Sequence, residues 1–220
     1  MPAVATAVPG VRWPSLRRLE WIALTLVLLG GAAWIWNSNP VRLKDRVMPR
    51  EFAKVEPRLY RSGQIDRGLL EGVLNEYGID FVVDLQNDER GVDQDEERRL
   101  LAEKGLRHVR IPMPGSGIAD ADSYARAVAA IQNALDEGSN VLVHCTAGGR
   151  RTGGVLAAWE LLVRGDEVRA NQELERCAYG ADPARLRAFL ISNLAAISAR
   201  LRELNVAVVP PPEHPLADGT

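Results

Sequence analysis

Cys145 and Arg151 lie in the segment VLVHCTAGGRRTGG, which runs from Val141 to Gly154, and the five residues between them set the spacing. A thiol attacks only as thiolate; its pKa of ~8.5 falls to ~3.5 to 7.5 beside positive charge or a helix N-terminus. A guanidinium is planar and holds two phosphoryl oxygens at once, which an ammonium cannot do with the same geometry. Gly148 and Gly149 let the intervening backbone turn tightly, so that successive N–H groups converge on an anion, and the helix expected from Thr152 adds its unpaired donors. Thr146, Ala147, Gly148, Gly149, Arg150 and Arg151 are therefore the candidate phosphate-binding residues. Cys145 is the candidate nucleophile and Arg151 the clamp. The Thr152 hydroxyl stands near the thiolate, and His144 fixes the loop through its ring nitrogens rather than acting as a base.

Such a turn has to leave a buried strand and open a helix. Val141 to Val143 supplies the strand. Upstream, Arg58 to Arg61, Ile79 to Leu85 and Leu106 to Ile111 have strand character, while Leu69, Leu70, Val73, Leu74 and Tyr77 recur at helical spacing. Tyr124, Val128, Ile131 and Leu135 mark one face of a helix that Gly138 stops. Thr152–Val163, Glu167–Ala178 and Ala184–Leu204 read as three further helices. Strands alternating with helices predict an α/β fold, with a central, mostly parallel sheet flanked by helices. Ligands of such sheets bind beyond the C-terminal strand ends, which is where Cys145 falls.

HCTAGGRRTG resembles the His-Cys-x5-Arg-Ser/Thr signature of the protein tyrosine and dual-specificity phosphatase superfamily. PRLYRSGQ and VVDLQNDE are similar to segments of the compact atypical dual-specificity members, and the resemblance runs from about Pro57 to Leu204. It implies a phosphomonoester hydrolase with a phosphocysteine on Cys145, Arg151 as transition-state clamp, Thr152 assisting the leaving thiolate, and no metal or organic cofactor. The implied substrate is a phosphorylated protein or a phospholipid head group. Two departures stand out. The general acid that members carry about thirty residues before the cysteine is missing from PMPGSG, which leaves Asp120 as the candidate acid and Asp122 behind it, both also suited to capping a helix. Arg150 replaces a frequent glycine, adding charge at the pocket rim or pointing into solvent. Phased as Cys145, Gly148 and Arg150, the loop also fits a rhodanese-type sulfurtransferase, and the missing acid leaves room for a catalytically weak phosphate-binding module.

The formal net charge of −2 gives no basic excess for a nucleic-acid backbone, so nucleic acid is not an expected partner. After a basic tail (1–20), residues 21–36 form an uncharged run, WIALTLVLLGGAAWIW, with tryptophans suited to membrane interfaces. It predicts one transmembrane segment or signal-anchor; a cleaved signal peptide is the alternative. A linker (37–55), the catalytic domain (56–205) and a proline-rich tail expected to be disordered (206–220) follow. The localisation implied is a single-pass bacterial inner-membrane protein. Basic residues flank the run on both sides, and the signal-anchor pattern favours an extracytoplasmic catalytic domain. Cys177 reads as a small buried hydrophobe. The cluster Asp88, Glu89, Asp93, Asp95, Glu96 and Glu97 reads as a solvated helix face. Asp84, Gln86 and Asn87 end a central strand on the ligand side, and His108 has no partner visible in sequence.

Overall fold

The structure is a computed structural model that describes residues 21–31, 47–87, 91–176, 183–210 and 216. The chain falls into two compact units, Met1–Lys44 and Asp45–Thr220. In the first, residues 21–31 form helix α1, whose side chains are exposed. The rest of the apolar run, 32–36, and the basic tail lie outside the described residues. At ~1.5 Å per residue α1 extends about 16 Å, and among the described residues no helix is long and apolar enough to cross a membrane.

In the second unit, β1 (Ala53–Glu56), β2 (Leu59–Ser62), β3 (Phe81–Asp84), β4 (Arg107–Arg110) and β5 (Val141–His144) form one sheet in the order β1-β2-β5-β3-β4. Only the β1–β2 pair is antiparallel. The helices are α2 (Arg67–Glu76), α3 (Val92–Glu103), α4 (Ala121–Asp136), α5 (Arg150–Trp159), α6 (Glu167–Glu175) and α7 (Pro183–Glu203). A π-helical turn, Glu160–Arg164, prolongs α5 until Gly165 turns left-handed at φ +68°.

The layers follow from the two-residue period of a strand. Leu59, Val83, Val141 and Val143 point into the core built with α4, α5 and α7. Tyr60, Val82 and Leu142 point the other way, onto Leu70, Val73 and Leu74 of α2 and Leu101 of α3. VLV in β5 is thus apolar on both faces and belongs in the middle of the sheet, each buried aliphatic side chain contributing roughly 1.5 to 3 kcal/mol. β1 begins inside the segment whose composition marks it as linker (37–55) and ends at Glu56, the first residue of the expected catalytic domain. Its AKVE sequence lacks an apolar run because it is an edge strand with one neighbour.

Candidate active site

β5 lies between β2 and β3, and the register pairs His144 with both Ser62 and Asp84. The three strands therefore end level, and the chain leaving β5 turns at their C-terminal edge. Residues Cys145 to Gly149 form that turn, with Arg150 opening α5. Gly148 has φ +73°, and a Cβ there would lie 2.7 Å from Gly63 N, so the turn admits only glycine at this point. Arg151, almost wholly buried, donates from Nη2 to Thr146 Oγ1 at 2.8 Å. Its Nη1 reaches Leu85 O and Asn87 Oδ1, each at 3.3 Å. Asn87 is thereby the strand-end residue that joins the site.

Cys145 is buried. Burial by itself pushes a thiol up, but here it is outweighed by donation from the Thr152 hydroxyl, the Arg151 charge, and the backbone N–H groups of Thr152 and Ala147. The net effect holds the thiol below its ordinary value, toward the nucleophilic thiolate. The Thr152 hydroxyl has no other hydrogen-bond partner among the described residues and is left to the sulfur.

The PMPGSG segment packs on the start of α5. A Cβ on Gly117, at φ +78°, would lie 3.0 Å from Arg150 O. Tyr124 donates to Gly117 O at 2.6 Å, and Gly154 has to be glycine because a Cβ there would meet the Tyr124 hydroxyl at 2.5 Å. Arg150 is half-buried under this loop, neither wholly in solvent nor buried as Arg151 is.

His144 precedes Cys145, fully buried, with Nε2 3.2 Å from Glu97 Oε1 and 3.9 Å from Asp84 Oδ1. Burial pushes its imidazole down, but the nearby charges of Glu97, Asp84 and Cys145 outweigh that and carry it up to about 9. The contact with Glu97 is a charge contact in which the ring is not aligned for a conventional hydrogen bond. Glu97 corrects the sequence reading. It stands in an acidic run that otherwise faces solvent, yet its own side chain is buried because α3 turns this position onto the sheet. Asp84 faces the same interior, bound by Arg110 Nε at 2.6 Å, and Gln86 Nε2 donates to Gln64 Oε1, so these two back the site rather than line it. His108 gains the neighbour that the sequence withheld, Asp84 Oδ2, at 3.9 Å. Asp84, Glu97 and His144 bring ligand atoms within 4.8 Å of one another. Arg110 Nη2 lies 2.6 Å from Asp84 Oδ2, so the set is part of a wider charge network.

Asp120 is the N-cap of α4: its Oδ1 accepts from Ser123 N at 2.7 Å and its Oδ2 from Ser123 Oγ at 2.9 Å. The Ser123 backbone donor is the main cause holding its carboxyl below the ordinary value. A proton donor needs the opposite shift, so acid catalysis by Asp120 would require the cap to open. Asp122 pairs with Arg126 at 2.8 Å and Arg200 at 2.7 Å. Cys177, Asp88 and Glu89 lie outside the described residues.

Sequence reasoning missed Arg61, Glu173 and the role of Glu97. Arg61 and Glu173 form a buried ion pair, and Arg61 also donates to Gly148 O. The available signal was an arginine at an inward position of a strand.

Residues 62–166 match the family described as Tc-R-P, polymorphic toxin system, DSP-PTPase phosphatase. The dual specificity protein phosphatase TpbA of Pseudomonas aeruginosa (strain UCBPP-PA14) is 26% identical over 175 residues, 74% of this chain and 75% of that protein. The crystal structure of P. aeruginosa TpbA superposes with a TM-score of 0.56 at 21% identity, covering 70% of this chain and 91% of that one. That of Tk-PTP in the active form gives 0.54 at 25% identity, over 68% and 97%.

Proposed function

Because the chain belongs to the cysteine-dependent dual-specificity phosphatase family, we propose that Cys145 is the nucleophile of a protein phosphatase tethered to a membrane by its N-terminal unit. The observation that carries the reading is the turn itself: a buried thiol held low by Thr152 and Arg151 within a loop of backbone donors. The thiolate attacks phosphorus and forms the P–S bond of a phosphocysteine as the P–O bond to the leaving group breaks. The leaving oxygen takes a proton from Asp120 freed of its cap, or from water. Water then attacks phosphorus, the P–S bond breaks, and inorganic phosphate departs while Thr152 donates to the re-formed thiolate. Arg151 holds two equatorial oxygens throughout, and Arg150 adds charge at the rim.

The substrate proposed is a phosphoprotein; TpbA is named as a protein phosphatase. Attachment through residues 21–36 is supported by the apolar, helical 21–31 segment, with the catalytic domain on the extracytoplasmic side of a bacterial inner membrane.

The test is Cys145→Ser in the purified full chain. It should abolish turnover of an aryl phosphate and of a phosphotyrosine peptide while orthovanadate still binds. Retained turnover overturns the mechanism. Faster hydrolysis of a phosphoinositide than of any phosphopeptide transfers the substrate to lipid, and thiocyanate production from thiosulfate and cyanide without phosphate release makes it a sulfurtransferase.

A further inference from the structure

The turn after β5 is held from outside as well as from within. β2 runs parallel to β5 with Ser62 beside His144, so the residues that follow, Gly63 and Gln64, travel alongside the turn. Gln64 N donates to Thr146 O at 3.2 Å. Two residues further along the turn, Gly148 O accepts from Arg61 Nη2. The other Arg61 terminal nitrogen, Nη1, donates to Glu173 Oε2 of α6, and both side chains are buried.

In a planar trans peptide the N–H of one residue points away from the C=O of the residue before it. Drawing Thr146 O outward therefore turns Ala147 N–H inward, and this N–H is among the influences that lower the Cys145 thiol. The same rule applied to Gly148 O turns Gly149 N–H inward, at the position that caps α5. A guanidinium is needed for the task, because one planar fork meets two acceptors lying in different directions. Glu173 is needed because a buried arginine without a counter-charge is costly.

We infer that Arg61, held by Glu173, is a positioning residue of the oxyanion cradle: it draws Gly148 O outward and so aims Gly149 N–H at the phosphoryl oxygens. The inference rests on the phosphatase reading of the turn. Arg61 touches no reacting atom; it acts through the peptide between Gly148 and Gly149.

The experiment compares Arg61→Lys and Glu173→Gln with the unaltered full chain. Orthovanadate affinity, kcat and KM on an aryl phosphate, near-ultraviolet circular dichroism and melting temperature are measured for each. A lysine satisfies Glu173 or Gly148 O but not both. Arg61→Lys should stay folded, bind orthovanadate at least ten-fold more weakly and lose more in kcat than in KM, because misaimed donors cost most where charge develops, removal of one such donor being worth about 10² to 10³ in kcat. Glu173→Gln, which keeps a neutral acceptor for Arg61, should show a smaller loss of the same kind. A folded Arg61→Lys with orthovanadate affinity within two-fold of the unaltered chain overturns the inference. If Arg61→Lys does not fold, unchanged affinity in Glu173→Gln overturns it. An unaltered chain that binds no orthovanadate overturns the phosphatase reading itself and the inference with it.

Discussion

Glu97→Gln is expected to remove a pH dependence of stability centred on His144. In the fold the imidazole is carried up to about 9, against 6.5 when unperturbed, with Glu97 its largest charge partner. Because the folded value is the higher one, the stabilisation is complete below about pH 6.5, declines as pH rises through about 9, and is absent above it. The full span of 2.5 pH units corresponds to about 3 kcal/mol at 1.36 kcal/mol per unit. Between about pH 7 and about pH 8.5 the share lost is roughly 2 kcal/mol. For a domain of this size that lowers the melting temperature by roughly 3 to 8 °C.

The assay is a thermal melt of the full chain and of Glu97→Gln across that window, followed by circular dichroism. Removing the Glu97 charge takes away the largest of the influences that raise His144, so its pKa falls and the decline over the window should flatten. Cys145 also titrates, and its contribution runs the other way: a depressed thiol stabilises the fold above its unfolded pKa and loses that as pH falls through the folded value. Because Cys145 and His144 act on each other, this opposing contribution shrinks in Glu97→Gln as well, and the measured flattening is the net of the two. An unchanged decline in Glu97→Gln refutes the argument, because the titrating group would then be elsewhere.

Two further outcomes are expected. Asp120→Ala should cost about 1 kcal/mol of stability through loss of the α4 cap, and Asp120→Asn should leave alkyl and activated aryl phosphates slowed equally; a selective loss of ~10² or more on the poor leaving group would make Asp120 the general acid. The full chain should sediment with membranes, and a periplasm-active reporter fused after Thr220 should signal; a shortened soluble product would establish a cleaved signal instead.

The sheet and the turn that carries Cys145 were legible because they obey local rules. VLV in β5 is apolar on both faces, so it had to be central, and Cys145 and Arg151 follow it within one turn. β1 was not legible, since an edge strand with the sequence AKVE carries no burial signal. Glu97 was hidden for a related reason: in a charged run such as DQDEERR no residue announces that it faces inward, and only the packing of α3 on the sheet selects it. Arg61 and Glu173 lie 112 positions apart and meet because β2 and α6 both abut the turn, a relation with no local signature. Asp120 was legible in both its readings, cap and acid, and the structure shows the cap.

The charges around Cys145 form a sequence across the sheet edge, and their order has a chemical consequence. Arg151 is among the groups that lower the thiol, while the preceding His144 is raised by Glu97 and Asp84. Cys145 is itself among the groups that raise His144, and interaction between two titrating groups is mutual: whatever the thiolate does for the imidazolium, the imidazolium does for the thiolate. Glu97 therefore reaches Cys145 indirectly, by keeping a cation behind it. The direct influences, Thr152, Arg151 and the backbone N–H groups, outweigh burial at the sulfur, and the charged imidazole adds to them from behind. Arg61 on the outer side and Glu97 on the inner side thus solve different parts of one problem, the first orienting dipoles and the second supplying charge. Both are set in place by β5 ending level with β2 and β3.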